Sequence, residues 1–373
     1  MAIKILFFIE DLIGGGAEKV LCDLVNEMDR NKFDITVQTL WKADPAGILK
    51  PGVRYRCCYA SENRASRLRS RVEAALGLTY PLHIRDDYDL EVAYLEFGST
   101  KILSRSTNKK AKKIAWVHSD LDRKLSGSPE GRQKLAEQYA HYDRIVCVSR
   151  TAKDSFVRLF GREQDVAVLY NTVDDAAIRE KAELPLSELP AKRRLTVAAA
   201  GRLSEEKQYD MLIRVHRQLL EAGLAHDLWI VGEGDQRSRL EALIEENNLK
   251  DSVKLLGFQS NPYPFMKTAD LLVCSSRYEG LSTFVTEGLI LGKPIVTTDC
   301  SGMRELLGDS EYGLITKNEE EALRSGIGRL LEDSALRAAY AERAARRGES
   351  ISARRLTEQT ERYFADLLEE KTL

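Results

Sequence analysis

The chain has no run of about 18 uninterrupted apolar residues, the length a membrane-spanning helix needs, so no spanning segment is expected. Paired CxxC spacing is also missing. Its six cysteines are Cys22, Cys57, Cys58, Cys147, Cys274 and Cys300, several of them inside apolar runs. That favours reduced, structural thiols in a cytoplasmic protein over zinc sites or disulfides. Charge of one sign does not dominate: 56 Lys and Arg against 58 Asp and Glu leave a net charge of -2. Such a balance argues against general nucleic-acid binding. Internal repeats and low-complexity segments are absent as well. The opening Met1 to Ile9 is apolar but short and runs into Glu10 and Asp11, so it reads as a first buried strand and not a signal peptide.

What is present is a soluble-type composition, 43% hydrophobic and 31% charged over 373 residues. That length suggests two domains of about 150 to 190 residues each. Short β-rich apolar runs alternate with helical periodicity, the pattern of parallel sheets covered by helices. Seven strand-like runs precede a break at 184–193, where Pro185 and Pro190 stand among polar residues. Six more follow it. The expected organisation is therefore α/β: an N-terminal doubly wound domain over 1–183, a linker over 184–193, and a second such domain over 194–352. A last helix occupies 353–373. Two such sheets would bind ligand in a cleft at the C-terminal ends of their strands.

Several strand ends carry chemistry. Gly14, Gly15 and Gly16 follow the first strand and open a helix, where backbone N–H groups can approach a phosphate or sugar. A bare glycine turn is the alternative. A dinucleotide-binding fingerprint fits poorly, because Lys19 stands at its third glycine and no acid ends the second strand. Gly201 and Arg202, with Lys207 five residues after Arg202, close a strand with a planar cation and a point charge, suited to a diphosphate. Gly232 and Gly234 repeat the glycine turn one strand later, and Phe258 could lie beside a nucleobase or fill a core. Glu279 and Glu287 bracket Gly280, Leu281, Ser282 and Thr283; a helix from Ser282 would put Glu287 on its second turn and leave Glu279 in the loop before it. A carboxylate can accept two hydrogen bonds from a vicinal diol, so such a pair suits a sugar or ribose.

Taken together in this order and spacing, these residues resemble glycosyltransferase family 4, a large retaining family of GT-B fold. The Gly15–Gly16 turn, the Trp116–Val117–His118 strand end and the segment around Asn171 fit the same resemblance. It looks most like bacterial enzymes that build capsular, exopolysaccharide or lipopolysaccharide chains on lipid carriers. The resemblance implies two Rossmann-like domains facing a central cleft, with the last helix packing back on the first. It implies a nucleotide-sugar donor, a UDP-sugar first, and a saccharide or lipid-linked saccharide acceptor. Arg202 and Lys207 would neutralise the donor diphosphate, Glu287 would bind the ribose diol, and Glu279 the hydroxyls of the transferred sugar. Gly15 and Gly16 would approach the donor phosphate, and His118 would sit near the sugar C6 hydroxyl. Gly201, Gly232, Gly234, Phe258, Gly280, Leu281, Ser282, Thr283 and Asn171 would complete the donor site.

No cofactor is expected, and no metal: the Asp120–Leu121–Asp122 triplet is discounted because GT-B enzymes offset diphosphate charge with basic side chains and helix dipoles. Many members of the resembled family carry a proline soon after the Glu-Gly pair, whereas this chain has Leu281–Ser282–Thr283. The donor sugar is left undecided by that departure. A nucleotide-sugar epimerase of the same architecture and a non-catalytic nucleotide-sugar binder are the rival readings. In the mildly basic first half, Arg64, Arg67, Arg69 and Arg71 interleave with Leu68, Val72, Leu76 and Leu78, and Lys109, Lys110, Lys112 and Lys113 form a second group. Solvated surface is one reading; peripheral contact with anionic lipid at the inner face of the cell membrane is the other.

Overall fold

The protein is described by a computed structural model covering residues 2–12, 15–185, 192 and 194–370. Its chain forms two compact units, Met1–Thr172 with Ala353–Leu373, and Val173–Ser352. Each is built on one parallel sheet.

In the first unit the strands are β1 (Ile3–Ile9), β2 (Phe33–Trp41), β3 (Arg54–Tyr59), β4 (Leu90–Ala93), β5 (Lys112–Val117), β6 (Arg144–Cys147) and β7 (Val166–Val168). They lie in the order β3-β2-β1-β4-β5-β6-β7. Ile5 to Ile9 are fully buried because helices cover both faces of the sheet, which is why β1 reads as a continuous apolar run and not as an alternation. The helix Ala353–Glu369 belongs to this unit. Its Phe364 packs against Phe7 and Trp116, and Glu361 accepts the Asp29 N–H at 2.7 Å.

The second unit carries β8 (Leu195–Ala200), β9 (His226–Val231), β10 (Val253–Leu255), β11 (Leu271–Cys274), β12 (Ile295–Thr298) and β13 (Leu314–Thr316), in the order β10-β9-β8-β11-β12-β13. Strand order therefore reverses between β1 and β4 in one sheet and between β8 and β11 in the other. Open α/β sheets bind ligands at such a point, beyond the C-terminal strand ends.

The units divide after Thr172, eleven residues before the boundary the sequence suggests. The helix Asp175–Ala182 buries Ile178 and Ala182 and packs on the helices Tyr263–Thr268 and Thr283–Ile290 of the second unit. Most of the expected linker, 186–191 and 193, lies outside the described residues, as does Gly14. All six cysteines are free thiols. Among the described residues no helix is long and apolar enough to cross a membrane.

Candidate functional site

The second unit's switch point is occupied by a charged pair. Lys207, at the end of the loop after β8, places Nζ 2.7 Å from Glu279 Oε1, in the loop after β11. The same carboxylate oxygen accepts from Ser276 Oγ at 2.6 Å and lies 3.9 Å from the Cys274 thiol. Ser275 Oγ donates to the Lys207 carbonyl at 2.7 Å, tying the two loops through the backbone as well. Burial works against the Lys207 charge, but Glu279 outweighs it and holds the ammonium above the usual lysine range. The result is a fixed cation and a fixed anion where a ligand is expected.

Three glycines shape the walls of this site. Gly201 has φ +152° and leaves room for the Tyr209 hydroxyl, which a Cβ would meet at 2.9 Å. At Gly232, with φ +143°, a Cβ would fall 1.9 Å from the Gly201 carbonyl oxygen; at Gly234 it would fall 2.3 Å from that of Leu203. Backbone bonds from Gly201 to Val231, from Leu203 to Glu233 and from Gly232 to Gly257 stitch the loops after β8, β9 and β10 together. Gly232 and Gly234 thus let protein backbones meet. Phe258, beyond β10, is 62% exposed and is not a core residue. Arg202 is exposed in the β8 loop and has no ion-pair partner among the described residues.

Beyond Glu279, the helix Thr283–Ile290 begins one residue after Ser282, whose hydroxyl accepts the Val285 N–H at 3.4 Å. Ser282 is buried and committed to capping its own helix. Gly280 and Leu281 are buried in the preceding turn, Thr283 is half-buried, and Gly302, with φ +78°, passes close over the Gly280 carbonyl. Glu287 sits on the second turn of the helix, buried, and accepts from Tyr263 OH at 3.1 Å. It does not join the Lys207–Glu279 pair directly.

The first unit has a strand-end cluster of its own. The helix Gly16–Glu27 starts at Gly15, where a Cβ would collide with the Glu18 carboxylate, so a side chain of the same helix lies over its amino end. Glu10 follows β1, and its carboxylate accepts the Gly98 N–H; burial, and then Asp11, raise its pKa. Glu96 takes the His118 N–H at 3.1 Å and also the Ser119 hydroxyl. His118 stands between Tyr94, at 4.8 Å, and Trp116. Burial lowers its pKa to about 4, so the ring is neutral near pH 7, and its buried Nε2 has no hydrogen-bond partner among the described residues. Between Glu96 and Gly98, Phe97 is held at φ 66° with Lys124 Nζ 4.8 Å from its ring centroid. A bulky residue at positive φ is strained, and strain of this kind gathers at functional loops. Asn171 is buried just past β7, at the edge of this unit. Asp120 caps the short helix Leu121–Lys124, which gives half of the Asp120–Asp122 doublet a structural task.

Sequence reasoning missed Ser276, Tyr263, Glu10, Glu96 and Phe97. The serine pair after β11 and the Glu-Phe-Gly turn after β4 were the available signals, since both are polar or glycine-bearing strand ends.

Against known families, residues 14–177 match Glycosyltransferase Family 4 and residues 180–347 match Glycosyl transferases group 1, together nearly the whole chain. The chain belongs to glycosyltransferase family 4. Among curated proteins, this family 4 chain is 35% identical over 199 residues to the N-acetylgalactosamine-N,N'-diacetylbacillosaminyl-diphospho-undecaprenol 4-alpha-N-acetylgalactosaminyltransferase of Campylobacter jejuni, covering 53% of each chain. It is 29% identical over 200 residues to the lipopolysaccharide core biosynthesis glycosyltransferase LpsD of Rhizobium meliloti, covering 53% of this chain and 56% of that one. The chain thus spans about half the length of these curated relatives. Anabaena HepE, solved with UDP, superposes at a TM-score of 0.75 with 21% identity, over 98% of this chain and 100% of that one. Sucrose-phosphate synthase of Thermosynechococcus elongatus gives 0.79 with 18% identity, over 99% and 100%. These likenesses show the GT-B fold, with its two Rossmann-like parallel-sheet domains.

Proposed function

We propose that this chain transfers a sugar from a UDP-sugar to a lipid-linked or growing saccharide, with retention at the anomeric carbon, in the building of a bacterial surface polysaccharide. The observation that carries the reading is the Lys207–Glu279 pair at the β8/β11 switch point. Departure of a charged diphosphate is the energetic problem of glycosyl transfer, and a preorganised cation acts where that charge develops. Lys207 and the exposed Arg202 supply it, aided by the amino end of the helix Thr283–Ile290. With that charge offset by side chains, the proposed reaction needs no metal and no cofactor.

Glu279 then reads hydroxyls of the transferred sugar, and Glu287 takes the ribose diol. Neither acts as nucleophile. Glu279 is engaged by Lys207 and Ser276. On the resemblance to retaining GT-B enzymes, the acceptor hydroxyl attacks from the side the diphosphate leaves and passes its proton to that phosphate as the bond from the anomeric carbon to the phosphate oxygen breaks. Neutral His118, with Nε2 unsatisfied, is suited to a sugar hydroxyl and not to an ion pair. The UDP and UDP-glucose in the HepE structures, and the undecaprenol diphosphate in the Campylobacter relative's name, support the donor and acceptor classes.

The test is proton NMR of a UDP-sugar panel incubated with and without saccharide acceptors, in EDTA. Expected is UDP release with a product whose new bond keeps the donor's anomeric configuration. An epimerised sugar from donor alone would instead assign an epimerase, and tight UDP binding without any turnover a non-catalytic binder.

A further inference from the structure

Nine large apolar side chains are exposed among the described residues, and five of them, Leu68, Val72, Leu76, Leu78 and Leu82, fall in one stretch of the first unit. Such clustering sets them apart from the scattered exposed leucines that any surface carries. Leu68, Val72 and Leu76 lie at successive four-residue steps on the helix Arg64–Ala75 and its C-cap, so they form one ridge, 65%, 50% and 67% exposed. The opposite face of this helix is fastened down. Its one acid, Glu73, is buried and accepts from Tyr59 OH at 2.5 Å, from Arg69 Nε at 2.5 Å and from His83 Nε2 at 2.8 Å. Asn63 and Ser66 cap the start reciprocally. A well-anchored helix that leaves its leucine ridge bare is built to present that ridge.

Cations flank it. Arg64 and Arg71 are exposed with no partner among the described residues, and Arg67 pairs only with Glu62, at 2.9 Å. At the far end, exposed Lys101 and Arg105 border the same hollow as Ala74 and Gly77. The lysine group at 109–113 is partly spent, since Lys112 pairs with Asp143 at 3.7 Å.

We infer that the helix Arg64–Ala75 and the chain after it, through Leu82 on the short helix Thr79–His83, form a docking surface for an anionic lipid bilayer. The ridge enters the headgroup boundary while the arginines meet lipid phosphates, as interfacial amphipathic helices do. Two copies of this chain meeting on the same face would set like-charged rows against each other, which disfavours a dimer as the occupant. This deepens the proposed function and rests on its lipid-linked acceptor. It also gives that acceptor's chemistry a location beside β3.

The experiment is co-sedimentation of the full chain with phosphatidylcholine vesicles, with and without phosphatidylglycerol, at low and high salt. Binding is expected only to the anionic vesicles and is expected to weaken with salt. Arg64→Ser and Arg71→Ser should each weaken it about fivefold, and Leu68→Glu/Val72→Glu/Leu76→Glu should abolish it. These positions are exposed, so thermal melts and UDP-sugar turnover in vesicle-free buffer should match wild type. Equal binding to neutral and anionic vesicles, no binding at all, or an apolar-face variant that binds like wild type would overturn the inference. So would a wild-type dimer that the triple variant splits, because a second copy would then own the face. Failure of the sugar-transfer reading would show separately, as absent turnover with vesicle binding intact.

Discussion

Lys207 and Glu279 stand 72 positions apart in the chain, yet Nζ and Oε1 meet at 2.7 Å, joining the strand-end loops on either side of the β8/β11 switch point. In the free protein the Lys207 ammonium rests on Glu279, so an incoming diphosphate competes with that carboxylate for it. The pair should therefore be coupled in stability. Lys207→Met leaves Glu279 with only Ser276 and Cys274 and should cost roughly 1–3 kcal/mol by chemical denaturation. Adding Glu279→Gln should recover much of that loss. Equal stability of the single and double variants would show that the contact contributes nothing.

Glu287 should behave as a donor-binding group. Its partner Tyr263 OH can still donate to a glutamine carbonyl, so Glu287→Gln should fold normally. Expected is a rise in donor KM of about tenfold, the loss of one charged hydrogen bond, with a much smaller change in kcat. A fall in kcat at unchanged KM would assign Glu287 a role in the chemical step instead.

A buried histidine chain makes the second unit acid-sensitive. His216 Nδ1 meets His226 Nε2 at 2.9 Å, and His216 Nε2 meets Ser252 Oγ at 2.9 Å. Burial, then His226 and Arg194, lower the His216 pKa to about 3 from 6.5, and burial lowers that of His226 as well. The unfolded chain therefore binds more protons than the folded one below pH 6.5. Stability from these groups is full above that pH and drains away as pH falls toward 3. Denaturation midpoints should reveal a loss of roughly 1–2 kcal/mol between pH 7 and 5. His216→Gln should flatten that dependence; an unchanged slope would move its source elsewhere.

Gly232 and Gly257 provide a matched pair of substitutions. Both have positive φ, but a Cβ at Gly232 strikes the Gly201 carbonyl at 1.9 Å, whereas at Gly257 it meets only Glu233 Oε1, at 3.2 Å. Gly257→Ala should cost about 1–2 kcal/mol for its backbone alone. Gly232→Ala should cost about 3 kcal/mol or more, because two strand-end loops must separate. Similar melting temperatures for the two variants would contradict the close approach described at Gly232.

Much of this was legible in the chain. Local patterning marked all thirteen strands found among the described residues, and a helix expected from Ser282 is found over Thr283–Ile290 with Ser282 as its cap. Strand-end glycines and charges pointed to Lys207 and Glu279 separately. Their contact could not be read, because periodicity reports an element and its faces, whereas pairing across a switch point depends on strand order. The same holds for Tyr263 with Glu287 and for Glu96 with His118. The unit boundary was misplaced for a related reason: prolines at 185 and 190 mark where regular structure stops, but Ile178 and Ala182 decide which core the preceding helix joins. At Gly232 the sequence shows a glycine turn; that the Gly201 carbonyl lies against it depends on how the loops after β8 and β9 come together.

In the proposed reaction the second unit holds a UDP-sugar and Lys207 assists departure of its diphosphate. Release of UDP from a panel of UDP-sugars, by wild type and Lys207→Ala, tests it most directly. Turnover of at least one UDP-sugar by wild type is expected, with a loss in kcat of about 100-fold or more in the variant. No turnover of any nucleotide sugar, or equal rates for the two proteins, would contradict it.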